Sequence, residues 1–60
     1  MSNYQITLAN LLDEMPKNQT FSVETASGQT VEIIRSTDET YFLNGKAIGF
    51  MKLYDWMSNN

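Results

Sequence analysis

The chain reads as a single α+β domain: a helix, a four-strand antiparallel meander and a C-terminal helix, in the order α-β-β-β-β-α. Three observations carry this reading. Apolar residues recur at helical spacing near both ends, at Leu8, Leu11, Leu12 and Met15 and again at Phe50, Leu53, Tyr54 and Met57. Between them, the segments on either side of Gly28 alternate apolar and polar side chains as half-buried strands do. Further on, Asn44-Gly45 is the strongest short hairpin signal in the chain. At 60 residues there is room for one core and no sign of a linker or second domain.

The elements follow in order. TLANLLDEM, Thr7 to Met15, is the first helix, and Tyr4 extends its apolar stripe upstream. Thr7 can cap it, or Ser2 or Asn3 if it begins earlier. Pro16 biases Met15 away from helix and ends it. Thr20 to Thr25 is the first strand and Gln29 onward the second. A three-residue loop, Ala26-Ser27-Gly28, sets Val23 opposite Val31 and Phe21 opposite Ile33, with Ser22 and Glu24 on the polar side. A two-residue loop would oppose Val23 to Glu32, so the longer loop is expected.

A four-residue turn, Ser36 to Glu39, then sets Ile34 opposite Tyr41. Thr40 to Leu43 is the third strand, and a two-residue turn pairs Leu43 with Lys46, Phe42 with Ala47 and Tyr41 with Ile48. Gly49 breaks the fourth strand, Phe50 to Met57 forms the last helix, and Ser58-Asn59-Asn60 is expected to fray.

Composition removes several classes of function. The chain has no Cys and no His, so disulfides, the usual zinc ligand sets, a thiolate nucleophile and an imidazole base are all missing. Its isolated glycines form no phosphate loop, and its adjacent carboxylates, Asp13-Glu14 and Asp38-Glu39, read as solvated charge. A cleft sized for a small ligand is hard to build in so short a chain. These features predict a protein that is not an enzyme and takes no cofactor. A net charge of −3, with Lys17, Arg35, Lys46 and Lys52 scattered, opposes direct nucleic-acid binding. The N-terminus lacks a signal-peptide pattern and no stretch is long enough to span a bilayer, which predicts a cytoplasmic protein.

The expected registers leave strands three and four apolar on both sides. Ile33, Phe42 and Ala47 join Phe21, Val23 and Val31 on one face, while Ile34, Tyr41, Leu43 and Ile48 occupy the other. Three arrangements would accommodate this: helices on different faces, a bulge that shifts strand three, or an apolar patch that serves as an interface. For an interface, the candidate partner-binding residues are Tyr41, Leu43, Ile48, Met51 and Trp56, since Tyr, Trp and Met are enriched at such surfaces. The function expected is protein binding. Two alternatives stand beside it: a homodimeric structural component, and an acidic mimic of nucleic acid that uses Glu24, Glu32, Asp38 and Glu39.

The opening ITLANLLDEMPKNQTFSV resembles the start of many short uncharacterised proteins from phages, prophages and mobile elements, and NGKAIGFMKLYDWM is similar to their closing segments. Those chains run a leucine-rich helix, a Pro-centred turn and a strand. The resemblance implies an accessory or inhibitory role, exercised by binding a host or phage protein in the host cytoplasm. It transfers no site residues.

Overall fold

The computed structural model describes residues 2–60. Its elements are α1 (Asn3–Glu14), β1 (Thr20–Glu24), β2 (Thr30–Arg35), β3 (Thr40–Leu43), β4 (Lys46–Gly49) and α2 (Phe50–Asn59). The strands form one sheet in the order β1-β2-β3-β4, and each neighbouring pair is antiparallel.

Helix α1 starts at the earlier of the two possible caps. The Ser2 hydroxyl accepts from the Gln5 amide at 3.2 Å, and the Gln5 side-chain oxygen accepts from the Ser2 amide at 3.1 Å. This reciprocal box satisfies donors that a helix start otherwise leaves to water. Ser2→Ala is expected to cost about 0.5–2 kcal/mol. Thermal unfolding followed by circular dichroism measures it; an unchanged midpoint would contradict the role of the cap. At the other end Met15 is extended (φ −64°, ψ 126°) ahead of Pro16, as the sequence requires. Asn18 then turns through φ 63°, a left-handed conformation that Asn tolerates, and its amide bonds the Arg35 carbonyl at 2.8 Å.

The first hairpin has the expected register, Val23 opposite Val31 and Phe21 opposite Ile33. Gly28 takes φ 93°, which closes the three-residue loop without strain. The last hairpin also follows expectation, with Asn44 at φ 49° and Gly45 at φ 89° in its turn.

The middle connection differs by one residue. The Ser36 amide donates to the Thr40 carbonyl at 2.9 Å, so the loop is Thr37 to Glu39. The Thr37 hydroxyl accepts from the amides of Glu39 and Thr40, at 3.4 and 3.1 Å, and holds the loop short. Arg35 therefore stands opposite Tyr41, Ile34 opposite Phe42 and Ile33 opposite Leu43. A slip of one residue exchanges the faces of a strand. Tyr41, Leu43 and Ile48 turn inward with Ile33, and Phe42 and Ala47 turn outward with Ile34. No bulge is involved.

Both helices lie on the inward face. Leu8, Leu12 and Met15 from the α1 region meet Leu53 and Met57 of α2, and Val31, Ile33 and Tyr41 of the sheet complete the buried core. The expected α1 stripe holds except at Leu11, which is 39% exposed on the helix flank.

The end of α2 is tied down rather than frayed. Its carbonyls find donors in the β1–β2 turn: Ala26 N to Met57 O at 3.0 Å, Ser27 N to Asn60 O at 3.2 Å and the Thr25 hydroxyl to Asn60 O at 2.7 Å. The Ser27 hydroxyl donates to the same Asn60 oxygen. A helix end leaves carbonyls unpaired, and Thr25 and Ser27 supply what they need.

Candidate functional site

At one end of the sheet, Arg35 gathers the chain. It projects inward from β2 and donates through Nη1 to the carbonyls of Asp13 (2.9 Å) and Met15 (3.1 Å), and through Nη2 to that of Asp38 (3.1 Å). Its guanidinium also lies 5.6 Å from the centroid of the Tyr41 ring. A cation at the C-terminus of α1 complements the helix dipole and occupies carbonyls that the helix cannot pair. Tyr41 is fully buried and donates its hydroxyl to the Leu12 carbonyl at 2.7 Å. Burial pushes its phenol above the usual tyrosine range, and the neighbouring Arg35 partly offsets this.

This bracing sets the last turns of α1 beside the first turn of α2, and a groove opens between them. Its volume is 640 Å³, and Asp13, Asp38, Glu39, Phe50, Met51 and Lys52 are among its lining residues. A second hollow of 220 Å³, bounded by Ala9, Phe50, Met51 and Tyr54, shares Phe50 and Met51 with it. A concavity that so short a chain was expected to lack is therefore present, and its volume falls in the range of ligand sites, about 300–1,000 Å³. The floor is aromatic and backed by the core. Phe50 lies 6.1 Å from Tyr41 and 6.4 Å from Tyr54, ring centre to ring centre. Met51 is 65% exposed on this floor. Ile6, 48% exposed, lies one turn before Ala9 on the same side of α1.

The rim is predominantly acidic. Lys17 bonds Asp38 at 2.8 Å, the single ion pair among the described residues. That hydrogen bond and the charge of Lys17 hold the Asp38 carboxyl below the usual carboxylate range. Asp13 and Glu39 stand on the rim outside this pair, with Lys52 the one cation among the lining residues and the Arg35 guanidinium behind them, bonded to the Asp13 and Asp38 carbonyls.

The five candidate residues separate. Tyr41 is sealed in the core and offers no surface. Leu43, Ile48 and Trp56 are half-buried and pack against the core. Met51 is the exposed one. The register explains the change: the inward turn of β3 takes Tyr41 with it, while Leu43 and Ile48 fall on the helix-covered side. The apolar residues left on the open face are Ile34, Phe42 and Ala47, a row across three strands. Of the carboxylates proposed for mimicry, Glu24 and Glu32 share that open face, whereas Asp38 and Glu39 lie in the β2–β3 loop.

Composition gave no sign of the groove, since it exists only where two helix ends meet. Arg35 offered a faint signal, a lone cation in the apolar run VEIIR. No helix among the described residues is long and apolar enough to cross a membrane. Among the described residues there is also no group of three carboxylates placed to hold a metal ion. No protein-family model, curated protein or solved structure matches the chain.

Proposed function

We propose that this chain is a small non-enzymatic protein-binding module whose contact surface is the groove between α1 and α2. The observation that carries the reading is Met51, 65% exposed beside the rings of Phe50 and Tyr54. An exposed apolar side chain over a preformed aromatic floor is a typical anchor point of an interface, and Met adapts to irregular partners. The acidic rim favours a partner that places Lys or Arg beside the apolar residue it inserts. The resemblance of residues 6–23 to short phage and mobile-element proteins fits an accessory or inhibitor that acts on a host or phage protein in the host cytoplasm.

The test is quantitative capture from the source cell, comparing wild type with Met51→Lys and with Thr30→Lys on the open sheet face. Loss of an interface anchor typically costs about 1–2 kcal/mol or more, so recovery of the partner should fall roughly tenfold with Met51→Lys. Thr30→Lys should capture like wild type. Equal capture by all three proteins would place the contact elsewhere.

A further inference from the structure

The two edges of the sheet are not alike. Edge β4 is four residues long and begins with Lys46. Edge β1, TFSVE, has five residues and contains no Lys, no Pro and no bulge. Strand edges without such protection present a ladder ready to pair. The geometry fixes which groups are free. Thr25 N bonds Gln29 O at 2.8 Å, so Thr25, Val23 and Phe21 direct their amides and carbonyls to β2. Those of Thr20, Ser22 and Glu24 point away from the sheet. Of these, the Glu24 carbonyl accepts from the Tyr4 hydroxyl at 2.8 Å, and a carbonyl retains a second lone pair.

The strand is self-complementary. Laid antiparallel on a copy of itself about Ser22, all five of its residues find a partner. Phe21 meets Val23 of the copy and Val23 meets Phe21, both on the inward face where each is only half-buried. Thr20 meets Glu24, so no carboxylate opposes a carboxylate. Other registers with the same facing leave residues at the strand ends unpaired.

The helix above the seam fits the same arrangement. Tyr4, Thr7 and Leu11 share one flank of α1, and the Tyr4 contact with Glu24 shows that this flank overhangs β1. Leu11, 39% exposed, is otherwise an apolar side chain without a home.

We propose that β1 is a self-association edge: two copies join antiparallel about Ser22, and their four-stranded sheets become one sheet of eight, with all helices on one face. The open-face row of Ile34, Phe42 and Ala47 is too small to hold a stable dimer alone and takes no part.

Sedimentation equilibrium on the full chain tests this. The wild-type mass should rise with concentration from 6.9 kDa toward twice that value. Ser22→Pro removes the central outward amide at an edge position that tolerates proline. Ser22→Lys keeps the strand and opposes two ammonium groups at the axis. Both variants should retain the wild-type circular dichroism spectrum and associate at least tenfold more weakly. Met51→Lys should associate like wild type, which separates this edge from the groove. A wild-type mass that stays at 6.9 kDa up to about 1 mM, the weak limit of specific association, would overturn the proposal. Undiminished association of the folded Ser22 variants would overturn it equally.

Discussion

Replacing Arg35 with Met should destabilise the domain by about 2–3 kcal/mol and lower its melting temperature by roughly 10–20 °C. Three carbonyls lose a charged donor at once, those of Asp13, Met15 and Asp38. Hydrogen bonds to a charged group are worth about 1.5–3 kcal/mol each when buried. Arg35 is only partly buried, so water replaces some of what is lost and the sum is well below three full bonds. Total stability of a chain this size is about 3–9 kcal/mol, so the change is a large fraction of the whole. Arg35→Lys should recover only part of it, because an ammonium cannot reproduce the planar fork that bridges these carbonyls. Denaturant titration of the three proteins measures both steps. An Arg35→Met protein as stable as wild type would show that the bracing at this end of the sheet is not what holds the helix ends in place.

Tyr41→Phe should cost about 1–3 kcal/mol, the penalty for leaving a buried carbonyl without its donor. The ring stays and the packing is nearly unchanged, so the loss reports the bond to the Leu12 carbonyl. The same bond gives stability an alkaline limit. The folded-state pKa of Tyr41 lies above its ordinary value because burial disfavours the phenolate. That contribution is complete below the unfolded pKa of about 10 and fades as pH rises through the folded value. Tyr4, raised by burial in the same sense, adds to the trend. Stability measured from neutral pH into the alkaline range should therefore fall less steeply for Tyr41→Phe than for wild type. Parallel slopes would mean that the Tyr41 hydroxyl is solvated.

Both experiments concern the one connection that sequence reasoning misplaced. The outer hairpins were legible because local chemistry determines them: Gly28 and Asn44-Gly45 demand particular turns, and alternation then selects the face. Ser36 to Glu39 carries no such demand. Its length is decided by the Thr37 hydroxyl and by the fit of Tyr41 beneath Leu12, a contact between residues far apart in the chain. Reading one residue too many into that turn moved Tyr41 to the wrong face and made Leu43 and Ile48 look like surface. The exposure of Met51 was legible because its place on the flank of α2 depends on helical spacing alone. The docked end of α2 was hidden for a similar reason: its partners, Thr25 and Ser27, lie far off in sequence.

The groove is likewise a tertiary product. Its aromatic residues were visible as the stripe of a helix, but a stripe does not tell which part is sealed and which is left open. Here Leu53 and Met57 are buried, Phe50 and Tyr54 form a half-covered floor, and Met51 remains outside. The acidic rim comes from α1 and the β2–β3 loop, brought together by Arg35.

The most direct measurement is methionine oxidation under brief hydroxyl-radical exposure, read by mass spectrometry on the free protein and on protein recovered with its partner. The free protein should oxidise at Met51, with Met15 and Met57 protected by the core. In the complex, Met51 should become protected while the pattern at the other two is unchanged. A Met51 that reacts as fast in the complex as in the free protein would contradict binding through the groove.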